Sequence, residues 1–427
     1  MQAYRLGKGR MHMLIAGIII VILTFWAIVR NYETRVVLMV SGLLMAVIGG
    51  NVGSAVDAFI KTMINASLTP IICITMGFSA VLDYTGCSGE LVRVIIKLLR
   101  RVRVIIIPMT VVLVWFLNIS LLSASGLAAA IGAILIPTLI KIGVKPAMAA
   151  SAVLLGTWGS SVSPGNPFIV QVADLAQEDL MTIIQNFAPN VFLAVLVSAV
   201  VLFAIAQMRH EGAGSDNAVE PAEQDGVIRY HYAVIPLIPI VILVLASPAV
   251  KMLPAISIPN AMLIGTLCCL IVTRPNIKDF ANHFFKGNGS GFASIVCLIA
   301  AAGMFIQGMN LMGLTQSLIE AMAGSQSMAK ISATFGPFVL AAVSGSGNAA
   351  VLAFNGTVTP HAAAFGLQIA DMGSVVQAAG NLGRCMSPVA GVALICAKMA
   401  NVNPMELTKR NAVPCVLAGI VMMLLAL

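Results

Sequence analysis

From Met13 to the last residue the chain is a succession of apolar runs of about bilayer length, parted by short polar stretches. A helix needs about 20 predominantly apolar residues to cross a ~30 Å hydrocarbon core, and in lipid only helices and closed barrels satisfy their own backbone. Hydrophobic residues make up 59% of the chain and charged ones only 9%, too little charge to hydrate the surface of a soluble protein of 427 residues. The fold class that follows is an all-α polytopic membrane protein. The first run, Met13 to Val29, has Arg5, Lys8 and Arg10 before it, the flank of a signal peptide. No small-residue cleavage site follows, and a second run starts near Val36, so an uncleaved helix is expected.

Two other classes fall away on composition. The eight cysteines are scattered through apolar segments apart from the adjacent Cys268 and Cys269, with no metal-ligand spacing. Inert buried thiols are expected, with no metal and no cofactor. The net charge of +8 sits largely on lysines and arginines of short loops, where it orients the chain in the bilayer, so no nucleic-acid partner is expected.

One hydrophilic stretch divides the chain near its middle. Residues 208–232 hold Glu211, Asp216, Glu220, Glu223 and Asp225 beside Gly and Ala, and read as a solvated linker. On either side the same signals recur in order. Gly77 and Gly86 resemble Gly303 and Gly313, Ser123-Ala124-Ser125-Gly126 resembles Ser344-Gly345-Ser346-Gly347, and Ser163-Pro164 resembles Ser387-Pro388. The offsets are about 226, 221 and 224 residues, a register expected of an internal duplication.

Residues 1–207 therefore read as one transmembrane repeat and 233–427 as a second. In the first, spans are expected near 13–29, 36–50, 66–85, 147–177 (interrupted) and 187–206, with a basic amphipathic stretch at 90–103 and a re-entrant hairpin at about 104–141. In the second, spans fall near 233–250, 257–273, 289–309, 366–401 (interrupted) and 411–427, with a hairpin at about 331–362. Five crossings per repeat is odd, so the second repeat is expected upside down relative to the first, the plan of many secondary transporters. The charges agree in the main. With Arg93–Arg103 in the cytoplasm, Arg30, Arg35, Lys141, Lys145, Arg209, Arg229, Arg274, Lys278, Lys286, Lys409 and Arg410 join them, while Lys61, Lys251, Lys330 and the basic N-terminus fall outside.

Four places put glycine, serine, asparagine and proline inside apolar runs: Ser123–Gly126, Gly156–Pro167, Ser344–Asn348 and Gly380–Pro388. Irregular backbone persists at membrane depth only where protein or a water-filled cavity surrounds it. Ser163-Pro164 and Ser387-Pro388 are expected to restart the interrupted helices, with Ser as N-cap and Pro in the first turn, and Ser125 and Ser346 to cap the returning hairpin arms. Four helix N-termini would then converge, an arrangement that binds anions. The expected substrate-binding residues are Ser123, Ser125, Gly126, Ser160, Ser161, Ser163, Asn166, Ser346, Gly347, Asn348, Asn381, Arg384 and Ser387. Arg384 is the most telling, because an arginine far from either end of its span is rare and its planar fork suits a carboxylate. Its bland role is pairing with carbonyls or with Asp371. Asp371, His361 and Thr357 are the candidates for proton or ion coupling.

At these positions the sequence resembles the anaerobic C4-dicarboxylate transporter family (DcuC/DcuD) of the ion transporter superfamily. The resemblance rests on Ser123-Ala124-Ser125-Gly126-Leu127 leading to Pro137, on Gly345-Ser346-Gly347-Asn348-Ala349, and on Arg384 with Ser387-Pro388. It implies a bacterial inner-membrane carrier of succinate, fumarate or a related small dicarboxylate. It also implies a homodimer with a scaffold and a mobile part that moves substrate by an elevator-like motion. Sodium-coupled relatives carry Ser-Asn-Thr at both hairpin tips, which this chain lacks, so the resemblance leaves H+ coupling, Na+ coupling and exchange open. A carrier of another small carboxylate, an intramembrane serine hydrolase using His361 and Asp371, and a channel are the rival readings. No Gly-x-Ser-x-Gly elbow supports the hydrolase.

Overall fold

The computed structural model describes residues 2–30, 32–66, 68–99, 105–212, 228–246, 250–317 and 326–427. Arg100, Arg101 and Arg103 of the basic stretch, and Asp216, Glu220, Glu223 and Asp225 of the linker, lie outside them. The described residues form helices and no strands. Seven of the helices are long and apolar enough to cross a membrane: Met11–Ile28, Leu68–Thr85, Ala124–Lys141, Leu180–Met208, Ile277–Leu311, Gln326–Ser344 and Pro404–Ala426.

The helices pack in two groups. In one, Leu68–Thr85 lies along Ile277–Gly291, while Thr34–Ile48 and Val52–Met63 lie along Cys297–Leu311. Glycine makes both contacts close. A Cβ on Gly287 would stand 2.6 Å from the Met76 carbonyl, and one on Gly308 2.6 Å from the Gly42 carbonyl. Small residues matter here because lipid tails give no hydrophobic drive for helix association, leaving close van der Waals packing to hold the pair.

Two expectations change in this group. The run Gly287 to Gly291, which reads from sequence as a loose start to a span near 289, is helical and packed, and a π-helical turn at Phe292–Val296 carries it into Cys297–Leu311. Residues Val52–Met63, which lie between the expected spans near 36–50 and 66–85, form a helix whose N-cap Asn51 accepts from the Ser54 N–H at 3.1 Å.

The other group holds the irregular elements. A first hairpin joins Ile106–Ser120 to Ala124–Lys141, and a second joins Gln326–Ser344 to Gly347–Thr357. The broken helices are Pro146–Leu155 with Pro167–Ala176, and Ile369–Cys385 with Gly391–Ala400. Leu180–Met208 and Pro404–Ala426 pack on each other beside them. Each break presses backbone to backbone on its own half's hairpin: a Cβ on Gly159 would lie 1.9 Å from the Trp115 carbonyl, and one on Gly383 2.1 Å from that of Phe338.

Arg410 and Glu211 also depart from expectation. Rather than sitting in solvated loops, their side chains are only 7% and 13% exposed and form an ion pair. The guanidinium donates through Nε and Nη2 to the two Glu211 oxygens, and through Nη1 to Glu406. This pair ties the end of the first half to the last helix.

Candidate functional site

Helix starts define the site, and two of them are not where the Ser-Pro pairs suggest. The first broken helix resumes at Pro167, with Asn166 as N-cap accepting from the Phe168 N–H at 2.9 Å. A helix begun at Ser163-Pro164 would need an N–H from residue 167 for its first intrahelical hydrogen bond, and Pro167 has none. The second resumes at Gly391, and the Ser387 hydroxyl closes a local turn by accepting from the Val389 N–H at 3.4 Å. Gly345, at φ +75°, brings the second hairpin tip against the Val389–Ala390 backbone, where a Cβ would meet the Ala390 nitrogen at 2.9 Å. Ala390, extended at this contact, is the N-cap of the helix and has no side-chain cap.

The hairpin caps are also unequal to expectation. Ser346 caps its arm as expected, accepting from the Ala349 N–H at 3.3 Å. In the first hairpin the cap is Ser123 rather than Ser125, accepting from the Gly126 N–H at 3.1 Å. Leu121 and Leu122 already turn the chain, so the helix begins one serine earlier.

The four returning helices meet at one cavity of about 360 Å³. Their first turns form much of its wall: Ala124 and Ser125, Pro167 and Phe168, Gly347 and Asn348, Gly391 and Val392. Of the residues expected from sequence, Ser123, Ser125, Ser160, Asn166, Ser346, Gly347, Asn348, Asn381 and Arg384 line it. Ile72, Met76 and Ile295, from the other helix group, supply an apolar wall.

Four expected residues are not in this wall. Gly126 is spent on the Ser123 cap, and Ser387 on its turn. Ser161 donates to the Trp158 carbonyl at 2.8 Å and accepts from Asn381 Nδ2 at 3.2 Å, so it holds a lining residue in place. Ser163 faces a separate small cleft beside Thr75 and Ser120. The coupling candidates lie elsewhere. Thr357 donates to the Ala353 carbonyl of its own helix, His361 sits in the short Thr359–Phe365 helix, and Asp371 is in the first turn of Ile369–Cys385.

A buried amide carries the frame. Asn118 is fully buried, donates to the Leu121 carbonyl at 2.9 Å, and accepts from the Ser160 N–H at 3.0 Å. It thus pairs a backbone group at the hairpin turn with one in the first break, both of which would cost several kcal/mol if left bare at membrane depth. Asn166 completes the break by donating to the Ser160 carbonyl at 2.8 Å.

Arg384 leaves the last turn of Ile369–Cys385 and is half-buried. Its Nη2 donates to the Thr157 carbonyl at 2.6 Å, while its Nε is buried without a partner among the described residues. Among the described residues no carboxylate pairs with it, Asp371 included. Four helix N-termini, each equivalent to roughly half a positive charge, join this cation around one cavity whose lining holds no acid among the described residues. The arrangement attracts a small anion with hydrogen-bonding oxygens, and the volume suits one.

Sequence reasoning passed over Gln377 and Ser374. Both are buried, and the Gln377 amide and Ser374 hydroxyl have no partners among the described residues. The signal for them was the polar stripe Asp371, Ser374, Gln377, Asn381, Arg384, spaced three or four residues apart along a buried helix.

An all-helical, multi-span protein whose hairpin tips and helix breaks enclose a positively biased polar cavity has the form of a membrane transporter rather than an enzyme. Comparison agrees, and the chain belongs to the C4-dicarboxylate anaerobic carrier family, which it matches over residues 13–427. It is 27% identical over 454 residues to the anaerobic C4-dicarboxylate transporter DcuC of Escherichia coli K12, covering 97% of this chain and 95% of that one. It is also 33% identical over 270 residues to an uncharacterized transporter of Haemophilus influenzae, covering 60% of this chain and 96% of the relative. The fold is similar to that of the Alcanivorax borkumensis YdaH transporter, with a TM-score of 0.58 at 12% identity over 87% of both chains.

Proposed function

We propose that the protein is a secondary transporter of C4-dicarboxylates such as succinate or fumarate in a bacterial inner membrane. The observation that carries this reading is Arg384, a cation without an acidic partner among the described residues, at a cavity walled by four helix N-termini. One carboxylate takes the guanidinium fork, and the other the N–H groups and hydroxyls of the hairpin tips. The relatives named for C4-dicarboxylates support the substrate class.

Two inverted repeats, about 1–207 and 233–427, fit the structure's internal register. The backbone contacts Gly159 with Trp115 and Gly383 with Phe338 recur at spacings of about 224 and 223 residues, in step with the matched Ser-Pro pairs. The hairpins, broken helices and central cavity belong mainly to one helix group, which favours an elevator-type motion of that group against a scaffold formed by the other. A homodimer held through the scaffold is the assembly that goes with this motion.

The test is uptake of labelled succinate by proteoliposomes, with and without a sodium or a pH gradient. Saturable uptake, competed by fumarate and lost in Arg384→Gln, supports the proposal, and the gradient that drives it identifies the coupling ion. Transport of another small carboxylate without dicarboxylate flux overturns the substrate, and flux that never saturates overturns the carrier.

A further inference from the structure

A second cavity, about 760 Å³, lies away from the polar one, between the first helix, Cys297–Leu311 and the second hairpin. Among the described residues that line it none is charged, and Thr357, one of the few hydroxyls in its wall, already donates within its own helix. Filled with water it would hold about 25 molecules at ~30 Å³ each, and most would lack the two to four polar partners an ordered water needs. Left empty, its aromatic and aliphatic lining would forfeit dispersion contacts over its whole surface.

The rim tells what fills it. Ile18 and Ile22 line the cavity and are also 50% and 61% exposed, on a helix whose apolar window is 22% buried. In a multi-span membrane protein that exposed face meets lipid tails, so the cavity opens sideways into hydrocarbon. Its length narrows the occupant further. Along the first helix the lining runs from Leu14 to Phe25, about 16 Å at 1.5 Å per residue, which is roughly half of a ~30 Å hydrocarbon core. One leaflet's acyl chain has that reach.

We propose that this cavity is a binding site for one acyl chain of a bilayer phospholipid, drawn in from the adjacent leaflet. The chain would lie between the first helix and the hairpin that carries Ser346 to the polar cavity, standing in for direct side-chain packing between them. The proposal does not depend on the substrate assigned above.

Quenching by brominated acyl chains tests it on the whole protein reconstituted in phosphatidylcholine. In a Trp26→Phe background, which removes the lipid-exposed indole, a tryptophan is placed in the cavity by Phe354→Trp, or by Phe335→Trp if the first variant fails to fold. Trp115 and Trp158 remain as buried references, 3% and 0% exposed. The expected result is loss of the added fluorescence in brominated lipid, to the extent seen for Trp26 in the unaltered protein. The added Ala353→Phe, whose ring takes up part of the cavity beside the new indole, should lessen that loss. Fluorescence as insensitive to bromine as that of Trp26→Phe alone, or quenching that Ala353→Phe leaves unchanged, would overturn the proposal.

Discussion

Two arginines are drawn into the apolar interior, and they are partnered in opposite ways. Arg410 gives its fork to both oxygens of Glu211 and a further bond to Glu406, so its charge is neutralised within the protein. Among the described residues Arg384 has one bond, to the Thr157 carbonyl, a bare Nε, and the polar cavity in front of it. A buried charge that is fully paired holds helices together. One that is left without an acid at a cavity is the cation to which the proposed function gives the substrate.

Mutations can break this contrast. The largest effect expected is on stability: Glu211→Gln removes the more buried of the two acids on the Arg410 guanidinium, leaving it Glu406, and should cost about 3 kcal/mol, read as a lowered melting temperature in detergent. Transport per folded molecule should stay near normal. Arg384→Gln should do the reverse, costing about 1.5–3 kcal/mol of substrate interaction, or roughly 10- to 100-fold in uptake, with little change in melting temperature. Arg384→Lys should recover part of that loss, since it keeps the charge but not the planar fork. If Glu211→Gln abolishes transport while the fold stays intact, or Arg384→Gln unfolds the protein, the division of labour is wrong.

Smaller changes sharpen the picture around the first break. Asn118→Ala leaves the Ser160 N–H and the Leu121 carbonyl without partners and should cost roughly 1–3 kcal/mol of stability. Asn166→Ala removes an N-cap and should cost about 1 kcal/mol, with Asn166→Ser milder because serine also caps. Paired measurements of melting temperature and uptake separate these framing residues from the ones that meet the substrate.

Much of the site was legible because polar residues inside apolar runs are expensive and therefore few. Ser123, Ser160, Asn166, Ser346, Asn381 and Arg384 stand out in the sequence for that reason, and the structure brings them to one cavity. The helix restarts were not legible, because two competing cap-and-proline pairs, Ser163-Pro164 and Asn166-Pro167, sit within five residues of each other. In the second break no local signal marks Gly391: its N-cap is Ala390, which offers no side-chain cap, and the backbone packed there is that of Gly345, about 45 residues earlier in the chain. Glu211 looks like any linker acid until Arg410, about 200 residues on, is seen beside it.

Hydropathy and the scarcity of charge by themselves determined that this chain lives in a membrane as helices, since lipid leaves the backbone no other partner. The order of glycine, serine and proline breaks also announced where regular helix must fail. Which group caps each restart, which arginine is neutralised and which is left open, and the apolar cavity beside the first helix were decided by tertiary packing alone. These depend on contacts between residues far apart in the chain, and a hydrogen bond or a close backbone approach across hundreds of residues leaves no periodic trace in the sequence.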